Sequence, residues 1–161
     1  MKQNKTYHLT SAAIIAALYV MLTLLANFLG LANHSIQIRF SEALTILPLF
    51  TPAAIPGLYV GCLLSNILTG CIAWDILLGP IATLLGAFGT RYWGKKYKWA
   101  ACLPPILFNT LIIPPILSYG YRFEGSLIYF IVTVGVGEIL SCGVLGTILY
   151  FSLNKYRKQI F

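Results

Sequence analysis

Apolar and small residues run along this chain in long blocks, and polar residues gather where the blocks end. The first block spans about Tyr7 to Gly30, long enough to cross a bilayer core of ~30 Å as one helix. The next, Ser41 to Leu68, is too long for a single span and is punctuated by Pro48, Pro52, Pro56 and Gly57. Proline stops or kinks a helix, so "FTPAAIPG" predicts a tight reversal. It divides the block into a short second span, about Ser41 to Phe50, and a third, about Ala53 to Leu68. The second is too short to cross alone as a straight helix. It is expected to extend toward Gln37 or to be shielded by its neighbours. The fourth span runs from about Trp74 to Tyr92. The fifth runs from about Trp99 to Leu117, with Pro104, Pro105, Pro114 and Pro115 near its ends. The sixth runs from about Ser126 to Phe151 and contains Gly135, Gly137, Gly143 and Gly146, which permit close helix approach.

Composition turns this pattern into a protein class. Of 161 residues, 58% are hydrophobic and 9% charged, and the mean hydropathy is +0.82. A soluble domain carries about 25% charged residues. This chain lacks the polar residues to cover a water-facing surface, and a soluble fold would leave very large apolar patches exposed. The expectation is an all-α integral membrane protein, one six-span domain over residues 1–161. The first block is about as long as a span and is followed by no clean A-x-A site, so no cleavable signal peptide is expected.

The net charge of +7 does not argue for nucleic acid, because the cations sit at the ends of the blocks. In a six-span arrangement Lys2, Lys5, Arg91, Lys95, Lys96, Lys98, Lys155, Arg157 and Lys158 share one side, and Arg39 and Arg122 take the other. The positive-inside rule makes the larger group, and with it both termini, cytoplasmic. A four-span arrangement, with Ser41 to Leu68 as one tilted helix, would put Arg91 to Lys98 outside and is rejected on that ground. The outer loops are then Leu31 to Phe40, Thr69 to Ala73 and Ser118 to Gly125, carrying Asn33, His34, Arg39, Arg122 and Glu124, with Asp75 at a span edge.

Motifs for chemistry are few. "GTRYWGKK", Gly89 to Lys96, fits G-x-x-x-x-G-K. Lys96 stands where a phosphate-binding loop needs Ser or Thr, and no strand precedes it. It reads as a basic helix end with interfacial Tyr92 and Trp93. Cys62, Cys71, Cys102 and Cys142 show no metal-binding spacing and read as small packing residues. No nucleophile with a base in reach is visible, so neither an enzyme nor a cofactor is expected. Ala12 with Ala16, and Ala13 with Ala17, place small residues on one stripe of the first helix. That stripe admits a close helix from the same chain or from another.

One carboxylate, Glu138 in "GVGEILSC", lies about 18 Å along the sixth span at 1.5 Å per residue. A charge there costs several kcal/mol unless it is paired or meets water, and intramembrane carboxylates are functional sites by default. The structural alternative is a bond to Ser or Tyr of another helix. Asn66 and Asn109 sit in apolar runs. Trp74 and Asp75 open the fourth span, and Arg39 and Glu42 flank the start of the second. Arg39 and Glu42 can pair with each other, and Asp75 can serve as a helix-dipole partner.

"IRFSEALTILPLFTPAAIPGLYVGCLLSNILTGCIAWDILLGPIATLLGA", Ile38 to Ala87, resembles the QueT family. The resemblance rests on R-x-S-E-A-L, on the proline-rich hairpin L-P-L-F-T-P-A-A-I-P-G-L-x-V-G-C and on the W-D that opens a helix. These sequences are queuosine-precursor transporters of the energy-coupling factor (ECF) type, in the role of substrate-binding S component. The resemblance implies a six-helix bundle in the cell membrane that binds a vitamin-like solute from outside. It implies partners, a membrane-coupling T subunit and two ATPases, and a toppling motion during transport. It implies docking through an A-x-x-x-A stripe on the first helix, matched by Ala12 and Ala16 with Ala13 and Ala17 beside them. The implied solute is a deazapurine, queuine or 7-aminomethyl-7-deazaguanine. Adjacent N–H donors on such a base suit a carboxylate, a flat ring suits aromatic stacking, and an aminomethyl cation suits a second carboxylate or a π face. Glu138, Asp75, Glu42, Asn66, Asn109 and Arg39 are then the expected polar contacts, with Trp74 stacking. The rival reading is a stand-alone secondary transporter with Glu138 as a proton-coupling carboxylate. Six short spans without an inverted repeat of broken helices speak against it.

Overall fold

The computed structural model describes residues 5–31, 38–122 and 124–156, apart from the side chain of Trp99. Asn33, His34, Gln37, Lys2, Arg157 and Lys158 therefore lie outside the described residues. All regular structure among the described residues is helical. In chain order it comprises α1 (Lys5–Phe28), a 3-10 segment (Phe40–Leu49), α2 (Ala54–Leu68), α3 (Ala73–Lys96), a short turn (Lys98–Ala100), α4 (Leu103–Pro115), α5 (Leu127–Glu138) and α6 (Gly146–Lys155). A π turn over Ile116–Gly120 prolongs α4, and another over Ile139–Leu145 joins α5 to α6.

Four rods are long and apolar enough to cross a membrane: Lys5–Phe28, Ala73–Lys96, Leu103–Gly120 and Leu127–Lys155. Phe40–Leu49 and Ala54–Leu68 are shorter apolar helices. The outer faces of the long rods carry large apolar side chains, among them Leu9, Phe28, Ile128 and Phe151, all exposed. The interior instead holds small and polar residues such as Ser41, Thr45, Ser65, Thr83 and Thr90. A large apolar surface on helices long enough to span a bilayer is the arrangement lipid demands and water forbids, so the chain is a membrane protein.

The expected elements recur with three changes. The second expected span is wound as a 3-10 helix. At ~2.0 Å rise per residue, against 1.5 Å for an α-helix, this winding lengthens a short segment. Every residue from Ser41 to Pro48 is buried, because the segment packs against α1, α3, α6 and the Ile139–Leu145 turn. Shielding by neighbours is thus realised. At its far end Arg91 Nη1 donates to the Pro48 carbonyl at 2.8 Å, satisfying an acceptor that a helix end leaves open. The second change is the π turn inside the last rod, where the sequence suggests one unbroken helix. The third is that α3 runs to Lys96, so "GTRYWGKK" is helix throughout.

The alanine stripe of α1 divides. Ala16 is buried and Ala12 half-buried, whereas Ala13 and Ala17 are exposed. Ala12 and Ala16 meet Gly57 and Gly61 of α2. A Cβ at Gly57 would lie 2.7 Å from the Ala12 carbonyl oxygen, and one at Gly61 2.7 Å from Tyr19 Cβ. Ala12 and Ala16 thus make a close approach inside the chain, while Ala13 and Ala17 lie on the outward face of α1. On the other side of the bundle Gly86 and Gly89 of α3 receive Pro105 and Pro104. These prolines open α4 at positions where a missing N–H costs nothing.

Candidate functional site

Two polar clusters occupy the interior. The first is built on Glu42, in the first turn of the 3-10 segment and 1% exposed. The Tyr19 hydroxyl of α1 donates to its Oε1. Asn109 Nδ2 of α4 donates to its Oε2 at 3.3 Å. Tyr19 and Asn109 are both buried. Glu138, the last residue of α5, stands beside Asn109 and in the field of Glu42. It is 7% exposed, and its Oε2 has no hydrogen-bond partner. Four elements thus bring two carboxylates, an amide and a phenol together.

The π turn explains how Glu138 reaches this position. It begins at the next residue, and its side chains tie it to the 3-10 segment. The Arg39 backbone N–H donates to Ser141 Oγ at 3.1 Å, and Thr45 Oγ1 lies 2.9 Å from Cys142 Sγ. Single π turns inside α-helices recur at functional sites. Here one lies directly beyond the unpaired carboxylate.

The second cluster surrounds Asp75 in the first turn of α3. Asp75 is 3% exposed. Its Oδ2 accepts from the Tyr121 hydroxyl at 3.1 Å, and its backbone carbonyl accepts from Asn66 Nδ2 of α2 at 2.9 Å. Oδ1 has no partner. Gly79 makes room for this arrangement, since a Cβ there would lie 2.8 Å from Asn66 Nδ2 and 3.3 Å from Asp75 Oδ1. Tyr121, in the loop after α4, also accepts from the Ile72 N–H at 3.3 Å. Burial, with Cys71 and Asp75 nearby, holds its hydroxyl above the usual phenol range, so it stays a donor. Arg39 is half-buried and stands in the fields of both Asp75 and Glu42, which links the two clusters electrostatically.

Of the residues expected from sequence, Glu42, Asn109 and Glu138 come together, and Asp75 and Asn66 form the second group with Arg39 between. Trp74 does not join them. It is 63% exposed, with its indole Cδ1 edge toward Gly120. Sequence reasoning missed Tyr19, Tyr121 and Ser141. Tyr19 carried a signal, three residues beyond Ala16 on the face that packs inward. Tyr121, in a loop beside Arg122, carried none.

Chemically the clusters offer hydrogen-bond acceptors of full or partial negative charge, flanked by neutral donors. Buried carboxylate oxygens without a donor, Asp75 Oδ1 and Glu138 Oε2, inside a helical membrane bundle suit a protein that handles a solute. The QueT transporter family profile matches residues 9–155, and the chain belongs to that family. A curated relative, the "Queuosine precursor transporter QueT" of Lactococcus lactis subsp. cremoris (strain MG1363), is 37% identical over 128 residues. The match covers 77% of this chain and 75% of the relative. No solved structure matches the chain. Family and relative are transporters, not enzymes.

Proposed function

We propose that this protein is the substrate-binding membrane subunit of an ATP-driven importer of the energy-coupling factor type, and that its solute is a queuosine precursor. In this reading the two short helices complete a six-span bundle in the cell membrane with both termini cytoplasmic. A 7-deazaguanine base enters from outside past Asp75, Arg39 and Asn66. Glu42 accepts its adjacent N–H donors, Asn109 orients the base, and Glu138 takes a further donor. A T subunit docks on the α1 face bearing Ala13 and Ala17, two ATPases drive the cycle, and toppling of the bundle delivers the solute.

The convergence of Glu42, Asn109 and Glu138 on one buried point, within a family of transporters, carries this reading. Buried carboxylates are otherwise destabilising in lipid, and a ligand with several N–H groups would offset that cost. The test is a binding titration on the purified chain with queuine, 7-aminomethyl-7-deazaguanine, guanine and thiamin. Tight, saturable binding of a deazaguanine without ATP or partners supports it. Absence of binding, together with proton-driven uptake by the lone chain in vesicles, would replace it with a proton-coupled transporter.

A further inference from the structure

We infer that the site selects a cationic ligand, and that Glu138 receives the ligand's positively charged nitrogen. The inference rests on the proposed deazapurine site and goes beyond it by dividing the work of the two carboxylates.

Glu42 has a donor on each oxygen, Tyr19 on Oε1 and Asn109 on Oε2. Those bonds fix its plane, and the second lone pair of each oxygen remains free to accept a pair of N–H groups from a base edge. Glu138 is different. It is more than nine-tenths buried, and its Oε2 meets no donor among the described residues. A buried acceptor left unmade is costly, and the groups around it do not remove that cost. Asn109 from α4 is neutral, and Glu42 from the 3-10 segment adds negative charge. Among the described residues, Arg39 is the cation whose field reaches Glu138, and it is shared with Asp75 and Glu42.

Three carboxyl groups against one guanidinium leave room for positive charge from outside the protein. A ligand seated against Glu138 must bring its own positive charge or leave that buried oxygen unpaired. An aminomethyl group on the deazaguanine ring does so, as an ammonium with three donors and no acceptor. A neutral nitrile at the same ring position, with an acceptor and no donor, would face Glu138 with like polarity.

The experiment compares 7-aminomethyl-7-deazaguanine with 7-cyano-7-deazaguanine, by calorimetric titration of the full-length protein in detergent. The unmodified chain is expected to prefer the amine by at least about thirtyfold, the scale of one buried charge-assisted pair. Glu138→Gln is expected to bring the two within about threefold of each other, with a monodisperse size-exclusion peak showing that the variant is folded. Asp75→Asn is expected to keep the preference. Equal affinities in the unmodified chain, or a preference that survives Glu138→Gln, would overturn the inference. Loss of the preference in Asp75→Asn alone would overturn the placement on Glu138. If neither compound binds the unmodified chain, the deazapurine reading fails and takes this one with it.

Discussion

Tyr19 shows how much one side chain can decide. It is 1% exposed, its hydroxyl serves Glu42, and its Cβ fills the space left by Gly61. Tyr19→Phe keeps the packing and removes only the donor, leaving a buried carboxylate oxygen short of one bond. The expected loss is about 1–3 kcal/mol, read as a fall in melting temperature in detergent, with weaker ligand binding beside it. Arg91 is the counterpart at the other end of the 3-10 segment. Arg91→Gln should lower thermal stability by ~1 kcal/mol through the lost bond to Pro48 and leave ligand affinity unchanged in a titration. Trp74 is exposed and makes no hydrogen bond with the polar side chains of either cluster among the described residues, so Trp74→Ala should leave the dissociation constant within about twofold of its original value.

Elements are held together here by small residues that let backbones touch, which is how helices associate in lipid. Gly61→Leu would drive a side chain into Tyr19 and the Ala16 backbone. It should cost ~2–3 kcal/mol, seen as loss of the monodisperse peak on size exclusion. The α1 stripe gives a paired test. Ala16→Trp should fail to fold, because Ala16 is buried against α2. Ala17→Trp should fold and bind solute but lose its partner subunits on co-purification, and normal co-purification would move the docking face elsewhere. Much of this level was legible in the sequence. The proline hairpin placed the start of α2 within a residue, and the apolar blocks gave α1 and α3 to within a turn. What stayed hidden depends on tertiary contact. No local signal in "FSEALTILPL" distinguishes 3-10 from α winding, because the choice follows from the space between α1, α3 and α6. "ILSCGVL" likewise reads as plain helix until Ser141 and Cys142 meet Arg39 and Thr45. For the same reason the sequence put Glu138 ahead but left the other six candidates unranked. Only the packing sorted them into a Glu42–Asn109–Glu138 group, an Asp75–Asn66 group and an outward-facing Trp74.

The whole molecule is a bundle whose apolar surface faces outward as well as inward, and its charges give it a direction. Single cysteines introduced at Lys96 and Lys155, in a chain stripped of its own four, should react with a membrane-impermeant thiol reagent only in inverted vesicles. A cysteine at Glu124 should react only in right-side-out ones, and the opposite pattern would reverse the assigned topology. The 3-10 segment carries one more consequence, for biosynthesis. Its residues from Ser41 to Pro48 show no face to lipid, so the nascent chain that has just released it has nowhere to put it. Part of its cover, α3 and the Ile139–Leu145 turn, is still to be synthesised. The early third of the protein therefore waits for the late third. A chain cut after α4 should be recognised as unfinished and degraded, even though every helix it contains has already emerged.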